Sequence, residues 1–253
     1  MQDLCNLLFE LSNVDRLNIM LELKKKPMKI SHVSKKFNFT VQETSRNISR
    51  LHDANLIAKG TDGAFHLTPY GEEALNLLPA FQFLSKNKKY FTSHTLSTLP
   101  PEFTRGLGAI ANCKVINEVT EGFYNYENML REAKEYVWVL VDQILASSLP
   151  LTVEAFKRGV EFRKILPRNA NIPEGILALA NDPVFDQAAR AQKLESRYLD
   201  KVDTVVFISD KVATIGFPNL EGKFDYLSFS SKDDTAHKWL KSLYLYYWNK
   251  AKR

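Results

Sequence analysis

Apolar residues recur at helical spacing through the first 53 residues and predict four short amphipathic helices. The predicted helices cover residues 2–11, 14–25, 31–37 and 40–53. Asn13, Ser31 and Thr40 are the predicted N-caps, because each side chain can accept a hydrogen bond from a free backbone N–H of the first turn. Asn38-Phe39 supplies a short turn between the last two helices. The pattern therefore predicts a helix-turn-helix.

The fourth helix has the most informative pattern. Thr40 and Glu43 have the spacing of a capping box, in which the side chains and backbone at a helix start satisfy each other. An inward stripe is expected at Val41, Thr44, Ile48 and Leu51. The opposite face carries hydrogen-bonding side chains, namely Gln42, Glu43, Ser45, Arg46, Ser49, Arg50 and Asp53. Taken alone, such a face is as typical of a solvated helix as of a DNA contact.

Residues 54–68 predict a β-hairpin that leads into a fifth helix. Asn55 can end the fourth helix in the left-handed conformation, and two apolar strands flank the turn signal Asp62-Gly63. Thr68 then caps the next helix. A hairpin that directly follows a helix-turn-helix is the winged-helix arrangement, and Lys59 and Thr61 would lie at or near its wing.

From about residue 103 the predicted elements alternate between strands and helices. Strands are predicted at 136–141, 160–166, 204–209, 212–217 and 225–230, and helices at 151–158, 188–198 and 234–251. This alternation predicts a mixed sheet with helices packed on it. The predicted fold class is α+β, with three parts: a winged helix-turn-helix domain (1–80), a connecting helix or linker (81–102) and an α/β effector or dimerisation domain with a mixed sheet flanked by helices (103–253).

Aromatic residues are interleaved with lysines near the predicted linker, at Phe81, Phe83, Tyr90 and Phe91. Such a pattern can stack bases in proteins that bind single strands. The simpler interpretation is that the aromatic rings pack inside the fold, and we expect packing.

Charge and composition narrow the functional class. Residues 24–59 contain nine basic and two acidic residues, which suits a polyanionic partner, although lysine-rich surfaces also keep proteins soluble. No apolar run is long enough for a membrane span, and the start lacks the basic segment of a secretory signal. Cys5 and Cys113 are too few for a disulfide framework or a four-cysteine zinc site. A cytoplasmic protein is expected.

The run NFTVQETSRNISRLHDANLIAKGTDGAFHLTPYGEEAL resembles the recognition helix, wing and following helix of ArsR/MarR-type archaeal regulators. The features that match are the capped recognition helix, Ser45-Arg46 within it, and the LxxANLI sequence at its end. The D-G turn of the wing and the T-P-x-G sequence at the start of the next helix also match. Asn55 stands where the family usually has glycine. The DNA contacts expected from the outer face and from this resemblance are Thr40, Gln42, Glu43, Ser45, Arg46, Asn47, Ser49, Arg50, Lys59 and Thr61.

The second half carries VWVLVD, AFKRGVEFRKIL and TVVFISDKVATIGF, and is similar to the middle domain of methanogenesis and filamentation regulators. More distantly it resembles the sugar-sensing TrmB-type domain, which is related to the phospholipase D fold. The resemblance implies an effector-sensing or dimerising domain. Candidate ligand residues are Trp138, Asp142, Arg163 and Tyr198, since Asp142 ends a predicted strand where α/β sheets place crevices. The alternatives are that Trp138 packs in the core, that Tyr198 is merely half-buried and that Arg163 forms a surface ion pair.

The motifs that would support catalysis are absent from the sequence. Phospholipase-type chemistry needs a histidine two residues before a lysine, and no H-x-K occurs. A phosphate-binding P-loop, a dinucleotide fingerprint and an H-E-x-x-H motif are also absent. We therefore expect no enzyme activity, no metal and no cofactor.

These observations predict a dimeric DNA-binding transcription regulator whose C-terminal domain senses a small-molecule effector or mediates dimerisation. Arg46 would read guanine and Gln42 adenine, because their side chains match the donors and acceptors of those bases. Thr40, Ser45 and Ser49 would contact phosphates. The alternative is a winged-helix protein-interaction module without specific DNA binding, which acidic Glu43 and Asp53 on the outer face would favour.

Overall fold

Capping side chains fix the starts of three of the five helices that begin in the first part of the chain. The structure, a computed structural model, describes residues 1–170 and 183–253, which form two compact units, Met1–Phe81 and Gln82–Arg253. The elements that begin in the first unit are α1 (Gln2–Leu11), α2 (Val14–Leu23), α3 (Ile30–Phe37), α4 (Val41–Asp53), β1 (Ile57–Lys59), β2 (Phe65–Leu67) and α5 (Pro69–Lys86). Their order is that of a winged helix.

The predicted caps are confirmed at Asn13, Thr40 and Thr68, whose side chains accept hydrogen bonds from backbone N–H groups of the first turn. Ser31 is not a cap, because α3 begins one residue earlier, after an extended Lys29. Met28 lies next to that helix start and bridges to Phe65 of β2 through two backbone hydrogen bonds, 3.0 and 2.8 Å long. The bridge ties the segment just before α3 to the hairpin.

The inward faces of α2 and α4 differ from the predicted stripes. In α2, apolar residues at helical spacing predict an inward face of Val14, Leu17, Met20 and Leu21. Met20 is buried as predicted, but Val14 and Leu21 are 70% and 45% exposed. The other buried residues of α2 are Arg16, Ile19 and Leu23. Val41 is 75% exposed, whereas Asn47 is buried. The buried positions of α4 are Thr44, Asn47, Ile48 and Leu51, which also have i, i+3, i+4, i+7 spacing. A stripe drawn through Val41 therefore started one turn too early.

The second unit is built on one mixed sheet. In chain order its longer elements are α6 (Pro101–Arg105), β3 (Lys114–Ile116), α7 (Val119–Glu132), β4 (Tyr136–Leu140), α8 (Leu149–Lys157), β5 (Glu161–Pro167), α9 (Pro183–Arg190), β6 (Leu194–Leu199), β7 (Val205–Ser209), β8 (Ala213–Gly216), β9 (Ser228–Ser231) and α10 (Asp234–Lys250). Within the described ranges, seven strands pair in the order β3-β9-β8-β7-β4-β5-β6. The α+β class is confirmed.

Helices cover both faces of this sheet. Residues of β4, β5 and β7 share one apolar cluster with α7, α8 and α9. On the opposite face, Trp138 of β4 stacks on Tyr244 of α10, with ring centroids 5.2 Å apart. The continuous apolar run of β4 follows from this arrangement, because a strand covered on both sides has no solvent-facing position. None of the described helices is long and apolar enough to cross a bilayer.

The helix predicted over 188–198 is wrong in its second part. Helix α9 ends at Arg190, Gln192 adopts a left-handed φ of 58°, and β6 begins at Leu194. Strand β6 pairs in parallel with β5 along its whole length, from Phe162–Leu194 to Pro167–Leu199. These tertiary hydrogen bonds outweigh the helical propensity of the segment.

Three of the four aromatic residues expected to pack inside the fold do so in the second unit, and Phe81 does not. Phe83, Tyr90 and Phe91 contact Phe229 with ring centroids 4.8–6.3 Å apart. Phe81, by contrast, is 64% exposed. The buried rings are not free to stack nucleic-acid bases.

Tyr90→Phe tests the polar contact inside this aromatic cluster. The buried Tyr90 hydroxyl accepts from the Phe217 N–H at 3.1 Å and donates to the Leu227 carbonyl at 3.2 Å. Burial raises the pKa of Tyr90, so the hydroxyl stays protonated. Removing the hydroxyl leaves the buried Phe217 N–H without this acceptor and should lower the free energy of unfolding by about 1–3 kcal/mol.

Urea unfolding followed by tryptophan fluorescence measures this loss, because all three tryptophans lie in the second unit. Tyr124→Phe is the matched control, since Tyr124 is 62% exposed. Equal stability of the two variants would contradict a structural role for the Tyr90 hydroxyl.

Candidate nucleic-acid interface

The start of α4 is fixed by reciprocal hydrogen bonds. The Glu43 N–H donates to Thr40 Oγ1 at 3.2 Å, and the Glu43 carboxylate accepts from the Thr40 N–H at 2.9 Å and from its hydroxyl at 2.8 Å. The Thr40 backbone hydrogen bond lowers the pKa of Glu43, so the carboxylate stays ionised. Both residues therefore position the helix, and their polar groups are used within it.

The exposed face of α4 is open and carries five hydrogen-bonding side chains beside the exposed Val41. Its accessible surface is lined by Val41, Gln42, Ser45, Arg46, Ser49 and Arg50. Within the described part of the chain, no carboxylate lies within 4 Å of the Arg46 guanidinium, so its five N–H donors are available. The Ser49 hydroxyl donates to Asp53 at 3.2 Å. Gln42, Ser45 and Arg46 are thus the side chains best placed for a partner.

Asn47 was predicted to contact DNA and is excluded from the surface. It is 4% exposed and lies in the buried stripe of α4. The prediction failed because a polar residue was taken to face solvent, while the helical spacing from Thr44 places it inward.

Arg50 is held by the first helix of its own unit. Its Nε donates to Glu10 Oε2 at 3.1 Å, its Nη2 donates to Glu10 Oε1, and its guanidinium lies 5.1 Å from the centre of the Phe9 ring. Glu10 is buried and also pairs with Arg16, with 2.9 Å between Nε and Oε2. Arg50 therefore anchors α4 to α1, and two of its three guanidinium nitrogens are already hydrogen-bonded to Glu10.

Arg16 completes this buried cluster. It is 6% exposed and donates to the carbonyl oxygens of Glu10 and Phe9, at 3.0 and 2.8 Å. These carbonyls belong to the last turn of α1, where a cation is favoured. No sequence signal pointed to Glu10 or Arg16, because the partners lie up to 40 residues apart.

The hairpin places two predicted contacts in solvent. Lys59 and Thr61 are exposed, and Gly63 takes a left-handed φ of 79° in the turn between the strands. The Asp62 carboxylate accepts from the Ala64 N–H at 3.0 Å, so its charge is used to close the turn. The wing thus presents Lys59 at its base.

The basic residues around α4 are mostly without acidic partners. Of the nine in 24–59, Lys25, Lys36 and Arg50 form ion pairs, the first two with Glu22. Among the residues that the structure describes, six have no carboxylate within 4 Å: Lys24, Lys26, Lys29, Lys35, Arg46 and Lys59. The first unit therefore carries a surplus of uncompensated positive charge.

The four candidate ligand residues of the second unit do not share one crevice. Trp138 is buried on the face covered by α10, with the Arg163 guanidinium 4.8 Å from its ring centre. Asp142 accepts a 2.6 Å hydrogen bond from the hydroxyl of Tyr226, which packs against the cluster on the opposite face. Tyr198 lies on β6 and bridges to Lys252 through backbone hydrogen bonds. Arg163 also pairs with Glu161.

The described residues contain no group of three or more His, Cys, Asp or Glu side chains that could hold a metal ion. His94 of the second unit is buried and pairs with Asp225. His94 Nε2 lies 3.0 and 3.1 Å from the two carboxylate oxygens, and Nδ1 lies 3.0 Å from the Tyr90 carbonyl oxygen. This pair attaches the segment after α5 to the loop before β9.

No protein-family model and no curated protein matches the chain. Among solved structures, the chain is similar to TrmBL2, described as an archaeal chromatin protein with a novel mode of DNA binding. The identity is 17% and the TM-score 0.44, over 95% of this chain and 94% of that chain. It is also similar to the phospholipase D family member Nuc from Salmonella typhimurium. That identity is 15% and the TM-score 0.38, over 52% of this chain and 91% of that chain. A third similar structure is NucT from Helicobacter pylori, with 15% identity and a TM-score of 0.40, over 56% of this chain and 96% of that chain. Values of this size do not assign the chain to a family.

Proposed function

We propose that the protein is a non-enzymatic DNA-binding transcription regulator that uses α4 as its recognition helix and the β1–β2 hairpin as its wing. The observation that carries the proposal is the exposed Arg46 guanidinium, free of carboxylates, on a helix whose start is fixed by a capping box. Uncompensated lysines on the same unit supply the charge that a phosphate backbone attracts.

The geometry suggests how each contact would act. The planar fork of Arg46 matches the O6 and N7 acceptors of guanine in the major groove, and the Gln42 amide matches adenine. Ser45 and Ser49 are short hydroxyl side chains that suit phosphates, which position the protein without specifying sequence. Lys59 and Thr61 would contact the flanking backbone.

We further propose that two copies bind together and place their α4 helices in successive major grooves, about 34 Å apart. Leu4 and Leu8 of α1 are 51% and 44% exposed, which leaves an apolar surface for such an association. The second unit would sense an effector or contribute to dimerisation.

Fluorescence anisotropy with the intact protein tests this function. Labelled fragments from upstream of its own coding sequence are compared with shuffled fragments of equal length, at 50–200 mM salt. If the five uncompensated lysines all contact phosphates, log affinity should fall with log salt by a slope of about −4.5 per protomer. Salt-insensitive binding to a protein, with no preference among DNA fragments, would instead favour the protein-interaction module.

Arg46→Ala should weaken binding to the preferred fragment by about 1–3 kcal/mol, roughly 5- to 150-fold, because it removes the bidentate contact. Arg46→Lys keeps the charge without the fork and should lose preference while retaining most of the salt slope. Lys35→Ala should weaken preferred and shuffled fragments equally, because a phosphate contact carries no sequence information. Equal losses for Arg46→Ala and Lys35→Ala on both fragments would contradict base recognition by Arg46.

A further inference from the structure

The second unit contains a cavity that the proposed DNA contacts do not involve. It has a volume of about 350 Å³ and lies between α7 and the sheet edge formed by β3, β8 and β9. Its apolar walls are Ile116, Phe123, Tyr126, Met129, Phe207 and Tyr226. This volume falls at the lower end of the range for small-molecule sites.

A narrow recess adjoins the cavity, and Tyr126, Leu145, Phe207 and Tyr226 line both spaces. The recess holds about 30 Å³ and is otherwise lined mainly by apolar side chains of β4, β5 and α8. About 10–15 Å³ of such space holds one water molecule, so the recess accommodates a group of two or three heavy atoms.

Lys164 lines this recess and is a charged residue among apolar ones. Its strand neighbours on the same face, Phe162 and Leu166, belong to the apolar cluster. In the described part of the chain, its ammonium has no hydrogen bond or ion pair, and the Phe185 ring centre lies 5.7 Å away. The Lys164 side chain is half-buried, and its desolvation by these apolar neighbours lowers its pKa to about 8. A lysine in such surroundings favours an anion that restores its lost solvation.

Tyr226 stands between the two spaces in a strained conformation. Its backbone φ is +62°, which is unfavourable for a bulky side chain. The hydroxyl hydrogen bond to Asp142, 2.6 Å long, holds the ring in place. Asp142, predicted as a ligand residue, thus positions Tyr226.

We propose that this cavity binds a small monocarboxylate with an apolar body. The body would occupy the main cavity, and the carboxylate would pass Tyr226 and pair with the Lys164 ammonium. A carboxylate fits the recess in size, and Lys164 is the one charged side chain among the described residues that line the recess. This inference is independent of the DNA-binding proposal, because ligand binding is measured without DNA.

Isothermal titration calorimetry of the intact protein with octanoate and with 1-octanol tests the site. The two probes share an apolar body and differ in the anionic head. Octanoate should bind at least tenfold more tightly than octanol. Lys164→Met should reduce octanoate binding at least tenfold and leave octanol binding unchanged, whereas Lys157→Met, at an exposed position of α8, should change neither.

Leu145→Trp tests whether the probes occupy the cavity, independently of the charge of the probe. The added bulk at the passage between the two spaces should weaken both probes, while circular dichroism confirms that the variant is folded. Equal affinity for octanoate and octanol, octanoate binding that survives Lys164→Met, or no binding of either probe to the wild-type protein would each overturn the proposal.

Discussion

Glu10→Gln is expected to lower the free energy of unfolding of the first unit by about 3–5 kcal/mol. Glu10 is 8% exposed and lies between Arg16, which is 6% exposed, and Arg50 of α4. A neutral amide leaves the Arg16 charge buried without a counter-charge and releases Arg50. The loss is large because the desolvation of Arg16 remains after its partner has been removed.

The measurement is urea unfolding followed by circular dichroism at 222 nm, with tryptophan fluorescence recorded in parallel. Because the tryptophans lie in the second unit, a shift confined to circular dichroism assigns the loss to the first unit. Glu22→Gln is the matched control. Glu22 also pairs with two cations, Lys25 and Lys36, but both are well exposed, so the loss should be much smaller than for Glu10→Gln. Equal effects of the two substitutions would contradict the buried role of Glu10.

The same cluster predicts a pH dependence. The hydrogen bond from Arg50 holds the pKa of Glu10 below its usual value. A carboxyl whose pKa is lower in the folded than in the unfolded protein contributes stability above its unfolded pKa of about 4.3 and loses it as pH falls. The stability difference between wild type and Glu10→Gln should therefore shrink as pH falls below about 4. A constant difference down to pH 2 would contradict this linkage.

Gly71→Ala is expected to destabilise the first unit by about 3 kcal/mol or more, although alanine favours helices over glycine by about 1 kcal/mol. A Cβ at Gly71 of α5 would lie 2.0 Å from the Leu56 carbonyl oxygen and 2.9 Å from its carbon. Both atoms are backbone, so neither can rotate away. The same oxygen accepts from the Thr68 N–H at 3.1 Å, which couples the exit of α4 to the start of α5.

Gly63→Ala is the control for this substitution. Its added Cβ meets no atom within 4 Å, and only the left-handed backbone is penalised, by about 1–2 kcal/mol. Urea unfolding at 222 nm compares the two variants. A Gly71→Ala protein as stable as wild type would show that helix propensity outweighs the contact with Leu56.

Elements specified by local chemistry could be predicted from the sequence. The capping box of Thr40 and Glu43, the left-handed Asn55 and the Asp62-Gly63 turn depend on residues within a few positions of each other. The buried strand β4 was also predictable, because a strand covered on both faces needs an uninterrupted apolar run.

Features specified by distant contacts could not be predicted. Strand β6 forms because β5 provides hydrogen bonds along its length, and Gln192 gives no glycine signal for the preceding turn. Pairing of Glu10 with Arg50 changes the role of an arginine that looks like a DNA contact in its own helix. Lys164 and Tyr226 meet at one recess although 62 positions separate them.

Selection of bound sequences from a pool of randomised duplexes tests the central claim most directly. The pool is incubated with intact wild-type protein and, separately, with Arg46→Ala, and the bound DNA is sequenced. Recognition by α4 predicts that wild type enriches one site with two related half-sites, and that Arg46→Ala loses preference at one guanine in each half-site while the other positions persist. A wild-type pool that stays as random as the input would contradict sequence recognition by this helix.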